Sequence, residues 1–225
     1  VLLILQLSYK INQHWPMKNI FFLAVFFQLV CPSLLAQRES NDKEDVFVDD
    51  QNQCVYLAFN QNRKGETEFL QTEPVMVEEW TTPLRGRVID FSLVYNKGQI
   101  LLYIEITEDA EENLNPICIG NNARITFRLK NGNYVSLPQT GEKLCGFVNE
   151  KKDKYSNITN RGFFLIDAKS VKRLQESEVY IASLQSKKYQ LDFIFRSELY
   201  DEVNDYDVYP ELYFMSELKC ILQPN

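Results

Sequence analysis

The sequence predicts a mainly β protein, with antiparallel sheets folded against one another as a β-sandwich or partly open barrel, one short internal helix and a C-terminal helix. Three observations carry this. Short runs rich in Val, Ile, Tyr and Phe, seven to nine of them, recur between Gly, Pro, Asn and Asp breaks. Two glycine turns, Asn96-Lys97-Gly98 and Lys130-Asn131-Gly132, join such runs into hairpins. Only two stretches repeat apolar residues at intervals of three and four, so helices are few.

The first 52 residues stand apart from that pattern. Residues 1–16 carry an apolar patch, VLLILQL, with no evident partner in a fold, and read as an upstream-extended start before Met17. Residues 17–36 have the build of a secretory signal: Lys18 as the positive start, the apolar run Ile20 to Val30, and Leu34-Leu35-Ala36 as a cleavage site. The run is shorter than the roughly 20 apolar residues of a membrane span, and Pro32 closes it. Cys31 follows the run, but Gln28-Leu29-Val30 lacks the small residue that precedes an acylated cysteine, which disfavours a lipid anchor. Residues 37–52 read as a mobile polar leader, and 53–225 as a single β-rich domain.

Within the domain, CVYLAF from Cys54 is a strand, NQNRKGETEF a loop turning at Gly65, and VMVEEW after Pro74 a weaker strand. Trp80 falls in that strand and is expected in the core. RVIDFSLVY and QILLYIEIT form a hairpin in which Ile100, Leu102, Ile104 and Ile106 share a face. Glu108 to Pro116 reads as an acidic loop. In ARITFRLKNGNYVSL, Val135 and Leu137 must share the buried face of Ile125, Phe127 and Leu129; a three-residue turn with Gly132 left-handed pairs Phe127 with Val135 and Ile125 with Leu137. RGFFLID is a strand, and Asp167 caps a helix, AKSVKRLQE, with Ala168, Val171 and Leu174 on one side. EVYIASL and KYQLDFIF are strands, the latter alternating Tyr189, Leu191, Phe193 and Phe195. Leu212, Met215, Leu218 and Leu222 mark the terminal helix.

Composition narrows the chemistry. Cleavage after Ala36 leaves 22 basic and 31 acidic residues, a net charge of −9, which disfavours nucleic acid and anionic membrane surfaces. The single histidine, His14, precedes the cleavage site, so the exported chain lacks Ser-His-Asp, Cys-His and histidine-ligated metal chemistry. The eight glycines are scattered singly, with no phosphate-cradling loop and no cofactor motif. Cys54, Cys118, Cys145 and Cys220 are widely spaced and even in number, which in an oxidising compartment favours two disulfides. Extending the hairpin register outward brings Cys118 opposite Cys145 after a one-residue bulge, leaving Cys54 for Cys220.

Candidate sites rest on carboxylates and tyrosines. Glu105, with Glu108, Asp109, Glu111 and Glu112 beyond it, is the stretch from which a carboxylate-based hydrolase would draw its pair, although nothing sets their separation. ELYDEVNDYDVYPELY, Glu198 to Tyr213, gathers Asp201, Glu202, Asn204, Asp205 and Asp207, oxygen ligands of the kind Ca²⁺ takes, but without EF-hand spacing. Its tyrosines, Tyr200, Tyr206, Tyr209 and Tyr213, form a candidate binding surface for a protein or glycan. Asn157 begins an N-x-T acceptor motif, relevant only to a eukaryotic pathway.

The LLAQ signal end, the RLKNGNYVSL hairpin, FFLIDAKSVKRL and the closing LKC together resemble small exported proteins of Bacteroidetes-type bacteria. The resemblance spans most of the mature chain, implies a periplasmic, secreted or envelope setting, and brings no functional residues. The expectation is a non-catalytic exported β-domain that binds a protein or cell-envelope component, with a carbohydrate-binding module or carboxylate-based hydrolase as the alternative. N-terminal sequencing of exported protein should begin at or near Gln37; a product retaining residues 17–36 would refute cleavage.

Overall fold

Sixteen strands and two α-helices make up the residues described by the structure, a computed structural model covering 47–49, 54–120, 122–152, 155–187, 189–202 and 204–222. These residues belong to a compact unit of residues 43–225; the expected upstream start, the signal and all but 47–49 of the polar leader lie outside the described residues. The fold is mainly β, as the alternating runs predict.

One antiparallel sheet holds β1 (Phe47–Asp49), β2 (Cys54–Gln61), β3 (Thr67–Thr72), β4 (Val75–Thr82), β5 (Arg85–Asn96), β6 (Gln99–Ala110), β11 (Phe147–Lys152) and β12 (Tyr155–Ile166). Its order is β1-β2-β3-β5-β6-β12-β11, with β4 also on β5, and it curls into a half-barrel. A second sheet, ordered β14-β13-β8-β9, holds β8 (Arg124–Leu129), β9 (Tyr134–Pro138), β13 (Val179–Gln185) and β14 (Gln190–Ile194). Two short pairs complete the strands: β7 (Cys118–Ile119) with β10 (Leu144–Cys145), and β15 (Leu199–Asp201) with β16 (Tyr206–Val208). Helix α1 (Ala168–Glu176) links the two main sheets, and a 3-10 turn, Pro210–Leu212, leads into α2 (Tyr213–Leu222).

Turn chemistry sets both principal hairpins. Lys97 and Gly98 have φ of 47° and 88°, so a two-residue turn pairs Asn96 with Gln99 and runs the β5–β6 ladder to Arg85 and Ala110. In β8–β9, Gly132 has φ 86° and its N–H bonds to the Leu129 carbonyl, giving the expected pairs Phe127–Val135 and Ile125–Leu137. Strands β3 and β4 lie end to end along β5, broken at Glu73-Pro74, where proline has no N–H to give to a ladder.

The core lies between the sheets and under α2. Phe91 of β5 is fully buried, with ring centroids 6.1 Å from Phe127, 6.2 Å from Phe193, 5.9 Å from Phe195 and 5.5 Å from Tyr213. Such edge-on pairs add about 0.5–1.5 kcal/mol each beyond area burial.

Several expectations change once the sheets close. Trp80 is not in the core but 40% exposed, because it pairs across β4–β5 with Arg87, whose guanidinium lies 5.7 Å over its ring and bonds bidentately to Glu78. The acidic loop begins later than Glu108: β6 continues through Glu108, Asp109 and Ala110, paired with β5 on one edge and β12 on the other. On α1, Asp167 caps by accepting from the Ser170 N–H at 2.7 Å, and Ser170, Val171 and Leu174 are buried while Ala168 is exposed. On α2 the buried face is Tyr213, Phe214, Leu218, Cys220 and Ile221; Met215 and Leu222 are exposed, as is Leu212 in the preceding 3-10 turn. The Phe91 ring cluster and the link from Cys220 to β2 turn that face inward.

The structure joins Cys54 to Cys220 and Cys118 to Cys145. Cys118 faces Cys145 in the short β7–β10 pair, one register step from the β8–β9 ladder, with the turn at Gly120 to Ala123 between them. Close approach makes that region glycine-dependent: a Cβ on Gly146 would collide with Asn160 Oδ1 and the Thr159 carbonyl. The two bridges close separations of 166 and 27 residues. In the chain-entropy model these stabilise by about 5 and about 3.5 kcal/mol. Cys54→Ser with Cys220→Ser should therefore lower the melting temperature more than Cys118→Ser with Cys145→Ser, and a reversed order in thermal melts would contradict this.

Candidate functional site

The tyrosine-rich segment folds as the β15–β16 hairpin, whose position follows from two apolar residues. Leu199 and Val208 face each other across the pair and pack with Met76, Val75 and Val88 in a small satellite core on the outer face of the half-barrel. That seat leaves the polar residues of the hairpin at its edges. Its turn is tied internally: Asp201 accepts from the Asn204 backbone N–H at 3.1 Å and side-chain amide at 2.9 Å, and Asp205, with φ 61°, donates its N–H to the Asp201 carbonyl. The Tyr200 hydroxyl donates to Asp205.

Clefts open on both sides of the hairpin and share Glu73 and Tyr206. The first, of about 450 Å³, is lined by Leu57, Pro74, Met76 and Val88, by the carboxylates Glu73, Glu79, Asp90, Asp201 and Glu202, and by Tyr200 and Tyr206. The second, of about 410 Å³, adds Asp207, Glu217 and Tyr209. Among the described residues lining either cleft there is no Lys, Arg or His. Seven carboxylates thus converge on a groove with an apolar floor and a tyrosine rim.

Crowding of like charge is visible in the protonation of its walls. Asp90 is pushed up to about 6 by burial and by the neighbouring Glu105 and Asp201 carboxylates. Glu105 stands directly opposite it on β6 and accepts from the Tyr103 hydroxyl at 2.7 Å. Burial likewise raises Glu217, and burial followed by the surrounding carboxylates raises the Tyr206 phenol.

The residues singled out in the sequence are distributed unevenly about this groove. Tyr200, Tyr206 and Tyr209 are about half exposed along it, whereas Tyr213 borders the second cleft but is only 2% exposed, its ring edge-on to Phe91 in the core. Asp201, Glu202 and Asp207 line the clefts, whereas Asp205 is engaged by Tyr200. Among the described residues no group of three or more His, Cys, Asp or Glu is placed to hold a metal ion. The acids of β6 are divided by strand alternation. Glu105 faces outward, while Glu108 faces inward and pairs with Arg85 at 2.9 Å. Asp109 returns to the outer face about 13 Å along the strand from Glu105, beyond the separation of a glycosidase pair. It accepts from the Tyr155 hydroxyl and the Asn157 amide, which ties the Asn157 side chain into the sheet.

The sequence does not single out Glu73, Glu79, Asp90 or Glu217, which also line the groove. Asp90 carries a signal, alternating with buried Ile89 and Phe91 and so facing outward; Glu217 shares a helical face with Tyr213, legible only once Tyr213 is known to be inside. Comparison with protein-family models, curated proteins and solved structures finds no match for the chain.

Asp90 retains its proton to about pH 6 in the folded chain and only to about 3.8 unfolded. Its contribution is therefore fully present below pH 3.8 and is lost as pH rises through 6, leaving the ionised carboxylate a net cost at neutrality. Asp90→Asn should raise stability at pH 7 by roughly 1–3 kcal/mol and have little effect at pH 4. Equal shifts at both pH values in thermal melts would contradict this.

Proposed function

We propose that this protein is an exported binding domain that holds a cationic segment of a partner protein in the groove around the β15–β16 hairpin. One observation carries the reading: seven carboxylates and three exposed tyrosines line two joined clefts without a basic residue among the described lining residues. A lysine or arginine side chain matches such a groove in three ways. Its charge is attracted by the summed field of the carboxylates, its methylene stem lies on the apolar floor of Met76, Pro74 and Val88, and its head meets tyrosine faces. Hydrolysis is the weaker alternative, because the Asp201 carboxylate is occupied by both amides of Asn204. Export is supported by the signal-like segment 17–36 and by the two disulfides, which persist in oxidising compartments. Among the described residues no helix is long and apolar enough to cross a membrane.

Titration calorimetry with an oligoarginine peptide, against an oligoglutamate control, tests the reading. Binding of the cationic peptide alone is expected, weakened about tenfold by Glu73→Gln with Glu202→Gln and by Tyr206→Ala. Affinity should also fall from pH 7.5 to pH 5 as Asp90 takes up its proton, and should fall with added salt. Failure to bind, or binding insensitive to these substitutions, would overturn it.

A further inference from the structure

A second surface lies on the other sheet and has the opposite charge. The β14-β13-β8-β9 sheet buries Phe127, Leu137, Leu184 and Phe193 on one face, and strand alternation puts the remaining residues on the other. Three rows cross that outer face. The first runs Tyr134, Arg128, Ile181, Ile194; the second Ser136, Thr126, Ser183, Asp192; the third Pro138, Arg124, Gln185, Gln190. Tyr180, at the bulge where β13 shifts register, also points outward and is 47% exposed; Tyr134 is 57% exposed and Ile194 54%.

The chemistry of the three rows differs from that of a protein interface. A protein-binding patch has an apolar centre and a polar rim. Here the central row consists of short hydroxyl and carboxylate side chains, with Thr126 and Ser136 hydrogen-bonded at 2.9 Å and Arg124 donating to Ser136 at 3.1 Å. The aromatic and aliphatic groups occupy one side. Arg124 and Arg128 are exposed and show no carboxylate partner among the described ion pairs; Arg128 lies 6.0 Å over the Tyr180 ring, and Arg173 at the edge donates to the Tyr134 carbonyl. Asp192 is the only acid in the three rows, in a chain whose net charge is −7.

We infer that this sheet face binds an acidic polysaccharide, a chain of uronic-acid sugars. Guanidinium groups take carboxylates bidentately, tyrosine planes stack on the apolar faces of sugar rings, and the Ser-Thr-Ser-Asp row meets ring hydroxyls. Arg124 and Arg128 are four residues apart on β8, about 13 Å along the strand, so they engage carboxylates on different sugars and select an oligomer over a monosaccharide. Charge complementarity favours an anionic glycan over a neutral one.

The test is calorimetric titration of the full chain with oligogalacturonate, with a neutral glucan oligomer and with polyglutamate of matching charge. Oligogalacturonate is expected to bind more tightly than either control. Arg128→Ala and Tyr180→Ala should each weaken it about tenfold, while Tyr206→Ala in the groove leaves it unchanged. Arg128→Lys keeps the charge and loses the bidentate fork, so the same direction of loss is expected from a variant that perturbs folding least. The inference is overturned by absence of oligogalacturonate binding, by equal or tighter binding of either control, by variants without effect, or by sedimentation showing copies of the chain paired through this face.

Discussion

Phe91 is the side chain on which the arrangement of the molecule depends. It projects from the middle of β5, the strand bordered by β3 and β4 on one edge and β6 on the other, and its ring meets those of both β8 and β14 as well as α2. A fully buried phenylalanine contributes about 1.5–3 kcal/mol from area alone. Its larger effect is geometric. Edge-on contacts with Phe127, Phe193 and Phe195 fix how the second sheet lies over the half-barrel, and an edge-on contact with Tyr213 and a tilted one with Phe214 fix which face of α2 is inside.

The chain ends of the domain are tied to that centre. Cys220 on α2 is bonded to Cys54 at the start of β2, and the Tyr56 hydroxyl donates to the Cys220 carbonyl at 3.1 Å. Lys130, in the β8–β9 turn, bridges Glu178 ahead of β13 and Glu211 in the 3-10 turn, joining the second sheet to the approach of α2. With α2 held from both sides, the preceding β15–β16 hairpin must lie against β4, and the second cleft opens between hairpin and helix.

Charge is partitioned by the same geometry. Strand alternation sends Glu79 and Asp90 to the outer face of the half-barrel, beside the acids of the hairpin, while Arg85 and Arg87 turn inward against Glu108 and Glu78. Asp90 is thereby separated from Arg85 and Arg87 of its own strand, whereas Glu79 also borders a further cleft that holds both arginines. The second sheet exposes Arg124 and Arg128 on its outer face, so a chain acidic overall presents one acidic groove and one basic surface.

The local elements were legible because turns and alternation are short-range. Gly98 and Gly132 need a left-handed φ that few other residues adopt, so the two hairpins could be placed from sequence; Asp167 announces α1 because a cap acts within one turn; and the hairpin register already put Cys118 near Cys145. What tertiary structure alone decided concerns pairing partners distant in the chain. The pairing of β6 with β12 joins strands distant in the chain, the exposure of Trp80 goes with its contact to Arg87, and the burial of Tyr213 depends on the rings around Phe91. The groove belongs to this second class: Glu73, Asp90, Asp201 and Glu217 lie on four separate elements, and only the packing of Leu199 and Val208 against Met76 brings those like charges together.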